Sequence, residues 1–210
     1  MGYIVSLIVA VAFVGPLART LKHRSGACYA AAALVAAAAF AVQAVGGLPG
    51  ISGLLSGVAN GFLAFCLFTV VMFTGTFRPG SAARIRLMQI RQPLALVACV
   101  CAIGHIACVL GAVAAYGSGR ASVLFIALCL ALAVLLAVVG ATSPTFVSDR
   151  MPQRVWQGIH CLAYPFFIIV CIHAALAAWP HSTALAVFYG IVGVAYAGLR
   201  LRRAKKGVYR

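Results

Sequence analysis

Acidic residues are almost missing from this 210-residue chain: Asp149 stands alone against sixteen Lys and Arg. Charged residues of either sign make up only 8% of the sequence, where a soluble domain carries about 25%. A chain so poor in charge cannot cover a water-facing surface. The shortage of carboxylates also argues against a zinc site, which prefers three or four converging ligands. None of the eight cysteines forms a Cys-x-x-Cys pair, and each lies in or beside an apolar segment. That excludes a disulfide framework and a paired-thiol oxidase, and leaves cysteine as a small packing residue. No apolar/polar alternation of period two occurs, so a transmembrane β-barrel is excluded. There is no Gly-rich nucleotide loop. The excess of basic charge is not carried by a basic domain with interleaved aromatics, so nucleic acid is not the expected partner.

What is present is hydrophobicity, 65% of the residues. A span needs about 20 apolar residues for a ~30 Å hydrocarbon core. Seven segments qualify or come close: 3–17, 27–45, 51–77, 93–116, 121–141, 155–179 and 183–199. In the first segment the basic residues Arg19, Lys22 and Arg24 follow the apolar stretch. A secretory signal carries its charge ahead of that stretch, so a retained helix is expected, with cleavage after Ala18 as the alternative. Gly46-Gly47-Leu48-Pro49-Gly50 marks a turn. Gly57 and Gly61 stand at small-xxx-small spacing, which suits close helix packing. Pro93 suits the first turn of the fourth segment.

Counting charges by alternate loops puts every Lys and Arg except Arg120 on one side. The positive-inside rule makes that side cytoplasmic. The expected fold is an all-α, polytopic membrane helix bundle of seven transmembrane helices, N-out/C-in, in a bacterial inner membrane. Residues 1–46 supply two N-terminal helices, 51–179 a core, and 183–210 a last helix with a basic tail. A seven-helix retinal protein is a poor fit, because the last span lacks a lysine for a Schiff base.

The chemistry is expected from histidine. His23 and His181 lie in loops, whereas His105, His160 and His173 lie inside apolar segments, where ionisable residues are costly and rare. His105 is roughly 18 Å along its segment from Pro93, and His173 roughly 27 Å from Val155, at 1.5 Å per residue. Those two fall in the outer half, on segments running the same way, while His160 is shallow on the cytoplasmic side. Two neutral imidazoles from different helices suit haem b, and Ala102, Gly104 and Cys108 beside His105 leave room for a flat ring. A haem-free transporter or scaffold, with its histidines as interhelical hydrogen-bonding or proton-path groups, is the competing expectation.

Thr142-Ser143, then Trp156-x-x-x-His160-x-x-x-Tyr164, then His173, together resemble the ferric reductase-like transmembrane domain family. The nearest branch is the haem-binding membrane subunit of the periplasmic methionine sulfoxide reductase system. The stretch from Arg84 to His105 is similar to that family's Arg-rich loop and following helix. The resemblance covers about residues 57–179. It implies electron transfer, with His105 and His173 as axial ligands of an outer haem b. It implies His160 at a second haem or an inner electron-receiving site. It implies Arg84, Arg86 and Arg91 where a flavin or quinone donor docks, and a separate redox partner protein. Arg91-Gln92-Pro93-Leu94-Ala95 departs from the family's paired arginines and Leu-Gly. No histidine precedes His105 by one haem spacing, and no flavin domain is fused.

Overall fold

The computed structural model describes residues 2–48, 50–117 and 123–205, and every regular element among them is helical. The physical reason is the solvent: in a hydrocarbon core each backbone polar group must be satisfied within its own segment. The helices are α1 (Gly2–Val14), α2 (Ala18–His23), α3 (Ser25–Ala44), α4 (Ile51–Ala59), α5 (Phe62–Thr74) and α6 (Ala82–Tyr116). They continue as α7 (Val123–Ala141), α8 (Thr145–Ser148), α9 (Gln153–His160), α10 (Ala163–Ala178) and α11 (Thr183–Lys205).

Among the described residues five stretches are long and apolar enough to cross a membrane: α3, α6, α7, the α9–α10 run Gln153–Ala178, and α11. A sixth exists if α4 and α5, bent by 47° at their junction, count as one span. The thirteen residues of α1 reach only ~20 Å at 1.5 Å per residue, short of the core thickness. Pro16 stops α1, since its ring clashes with the preceding turn. Arg120 and residues 206–210, which entered the charge count, lie outside the described residues.

Several segments depart from their expected form. The third is not one helix but two, because Gly61 adopts φ +74° and ends the α4 register. Gly57 does pack closely: a Cβ there would collide with the Ser6 hydroxyl and lie 2.7 Å from the Gly2 carbonyl oxygen. Pro93 lies inside the 35-residue α6 rather than in its first turn. The sixth segment breaks at Cys161–Leu162. Pro165 explains the break, because it has no N–H for the Cys161 carbonyl. The chain tightens instead, with Leu162 N–H on Ile159 O at 2.9 Å and Tyr164 N–H on Cys161 O at 3.1 Å. α11 runs on through the basic residues Arg200–Lys205.

Two compact units result: Met1–Val71 with Ala82–Arg120, and Met72–Ser81 with Ala121–Arg210. In the first, α6 buries Leu94, Val97, Ala98, Cys101 and Cys108. α3 lies alongside α6 in the same direction. Successive contacts show it: Lys22 donates to Gln89 Oε1 at 3.1 Å, Gly104 abuts Ala36, and Gly111 abuts Phe40. Fully buried Leu21 anchors α2. In the second unit α10 packs on α7 and α11. Its core is aromatic, with Phe167 and Tyr196 edge to face at 5.0 Å and Phe73 against both.

Candidate functional site

His105 belongs to the first unit, and its surroundings are built by the break between α4 and α5. A helix end leaves its last carbonyls without intrahelical donors. The Ala59 carbonyl is such a group, and His105 Nδ1 donates to it at 2.6 Å. A carbonyl can only accept, so Nδ1 carries the proton and Nε2 keeps a lone pair. That is the tautomer a metal-ligating histidine adopts when its other nitrogen is held by a backbone carbonyl. Gly61 closes one side: a Cβ there would lie 3.0 Å from His105 Cδ2 and 3.2 Å from Nε2. The same glycine therefore breaks the helix and makes space for the ring.

His160 and His173 belong to the second unit. His173 has Nδ1 3.7 Å from the Cys129 sulfur on α7, and its ring stacks on Phe125 with centroids 4.9 Å apart. His160 Nε2 lies 3.4 Å from the Thr142 carbonyl oxygen, which also accepts from Trp156 Nε1 at 3.1 Å. The Trp156 and His160 rings pack at 4.2 Å. Trp156 and His160, one helical turn apart on α9, thus meet the carbonyl just past the end of α7. Tyr164 carries the Arg200 guanidinium over its ring at 3.8 Å. Each of the three motif residues therefore has a partner inside this unit.

The arginines divide by face. Arg84, Arg91, Ala98 and His105 recur every seven residues along α6, so they share one face with a drift of about 20° per step. Arg86 points elsewhere and is exposed. Arg91 is half-buried, and its Nε is buried without a hydrogen-bond partner. Among the described residues no three of His, Cys, Asp and Glu gather to hold a metal ion.

Sequence reasoning missed Ala59, Gly61, Cys129 and Phe125 beside the histidines. It also treated Arg200 and Arg203 as simple tail charge. Arg203 in fact donates to the Gly75 carbonyl at 2.7 Å and to the Phe77 carbonyl. The Asn60-Gly61 pair inside an apolar run was the available signal for the break.

The fold defines a multi-pass α-helical membrane protein. No protein-family profile matches the chain, and no solved structure matches it. It is similar to an uncharacterised protein of Treponema pallidum (strain Nichols), 26% identical over 227 residues that cover 97% of this chain. The chain spans 61% of that relative's length.

Proposed function

We propose that this protein is a membrane haem b protein that carries electrons across the bilayer, from a cytoplasmic-side flavin or quinone donor to an outer-side acceptor. The observation that carries the reading is the His105 tautomer: Nδ1 is held by Ala59 O, and Nε2 is left with its lone pair beside a glycine. His105 and His173 would hold one haem b as axial ligands, and His160 would serve an inner site or second haem. The haem supplies a one-electron carrier in a place where protein side chains offer none. Arg84 and Arg91 lie on the His105 face of α6, and the orphaned Arg91 Nε suits an anionic donor group by charge-assisted hydrogen bonding. A separate redox partner protein would take the electrons outside.

In this reading α1, the bent α4–α5 pair and the five long spans make seven crossings, N-out/C-in, in a bacterial inner membrane. The test is a reduced-minus-oxidised spectrum with a pyridine haem assay on gently purified protein. A Soret band with haem b stoichiometry near one or two is expected, and colourless protein refutes the reading.

A second reading has its own observations. His105 on Ala59 O, His160 near Thr142 O and His173 beside Cys129 are interhelical polar contacts of the kind that hold a haem-free transporter or scaffold together. Broken spans also occur at transporter sites. The same spectrum separates the two.

A further inference from the structure

α3 and α6 do not close on each other along their whole length. A groove of about 290 Å³ runs between them, near the lower end of the ~300–1,000 Å³ of ligand pockets. Its walls are Ala33, Ala36, Ala37 and Phe40 of α3, and Val100, Ile103, Gly104 and Ala107 of α6. Both sets follow i, i+3, i+4, i+7 spacing, so each is one helix face. No polar side chain lines it. Small side chains leave it hollow, and exposed Phe40 and Ile103 edge it.

The charge stands at one end. Gln89 is eleven residues before Val100, which returns it to the groove face of α6 within about 20°. Lys22 reaches Gln89 from the α2–α3 corner, using one of its three N–H donors. Arg86 is three residues before Gln89, about 60° from that face, and is exposed, as is Arg24 at the start of α3. Lys22, Arg24 and Arg86 thus stand beyond the near end of the groove, with Gln89 roughly 16 Å from Val100, a distance an acyl chain can span, and no acidic residue of this unit neutralises them.

We infer that this corner binds one anionic phospholipid, with its phosphate at Lys22 and Arg86 and an acyl chain in the α3–α6 groove. Depth agrees for the near end of the groove: Val100 lies roughly 10 Å beyond Pro93, inside the cytoplasmic leaflet of a ~30 Å core, while Gly104 and Ala107, at roughly 17 and 21 Å, lie past its middle. A second copy of the chain is the disfavoured occupant. A two-fold interface here would set the same cations against each other, and like charges repel.

The experiment is native mass spectrometry of full-length protein released from nanodiscs of equal phosphatidylglycerol and phosphatidylcholine. The wild type should retain one phosphatidylglycerol in preference to phosphatidylcholine. Lys22→Gln with Arg86→Gln should lower that preference by about thirtyfold. Ala37→Phe, at an exposed groove wall, should lower total lipid retention. Arg202→Gln, an exposed arginine of the other unit, should change neither. Equal retention of the two lipids, or an unchanged preference in the double variant, overturns the inference. So does a wild-type dimer that Ala37→Phe dissociates without altering lipid retention. The readout is independent of haem, so it stands or falls apart from the electron-transfer reading.

Discussion

At the scale of single residues the informative side chains are those whose freedom is removed. His105 has one nitrogen committed to Ala59 O, and the ring face toward Gly61 tolerates no Cβ without a shift. Gly61→Ala places a methyl at φ +74°, where an L-residue costs about 1–2 kcal/mol, and presses it onto the ring. The expected outcome is a lower thermal unfolding midpoint together with loss or broadening of the haem Soret band. A variant with the wild-type spectrum removes Gly61 from the site. His105→Ala and His173→Ala should each abolish most of the low-spin haem signal, and two full spectra would defeat the ligand assignment. Cys129 faces His173 Nδ1, so with His173 as a haem ligand, as proposed, Cys129→Ala should retain the haem and shift its midpoint potential. Potentiometry measures that shift, and an unchanged potential leaves Cys129 as a packing residue. The three buried-segment histidines were legible in the sequence because charge-capable groups are scarce there. Their partners were not, because a backbone carbonyl and a thiol leave no compositional trace.

At the scale of elements, the helices were readable, and so was the kink that Pro165 puts in the sixth segment, but the break at Gly61 was not read. Apolar run length predicts a span wherever the run approaches 20 residues, as for α3, α7 and α11. Gly57 and Gly61 read alike by spacing, yet one packs in a helix and the other ends it; only the preceding Asn60 marks the difference in the sequence. The Trp156-x-x-x-His160 pair reads as a cofactor motif, yet it also meets the Thr142 carbonyl beyond α7, where helix ends need donors. Both roles are testable in one variant. His160→Ala is expected to spare the outer haem and to slow its reduction by a cytoplasmic-side donor more than tenfold. Stopped-flow reduction in vesicles measures this, and an unchanged rate leaves His160 as a capping group alone. Arg203 ties α11 to the carbonyls of Gly75 and Phe77, a role hidden inside what looks like a topogenic basic tail. Losing charge-assisted bonds to two carbonyls should cost about 2 kcal/mol, read as a lower unfolding midpoint of Arg203→Ala.

At the scale of the whole molecule the decisive quantity is the side on which charge falls. The first unit sets an internal constraint, since α3 and α6 run side by side in one direction. Both helices begin beside arginines and a lysine: Arg19, Lys22 and Arg24 before α3, Arg84, Arg86 and Arg91 in the first turns of α6. Basic residues near span ends stay cytoplasmic, so both helices should leave the cytoplasm at those ends. On the proposed orientation α6 carries the chain to Gly117 on the outer side. From there, α7 returns it to the loop holding Arg150 and Arg154, the α9–α10 run takes it out again, and α11 brings it back to its own basic end. If α7, the α9–α10 run and α11 all cross, the C-terminus lies opposite to Gly117, whatever α1 does. Phosphatase and fluorescent-protein fusions at Gly117 and at the C-terminus should therefore report outside and inside respectively. The same side for both would mean that α7, α9–α10 or α11 does not cross. That result would also undercut the proposed direction of electron flow, because His173 would no longer be assigned to the half of the membrane opposite Arg84 and Arg91.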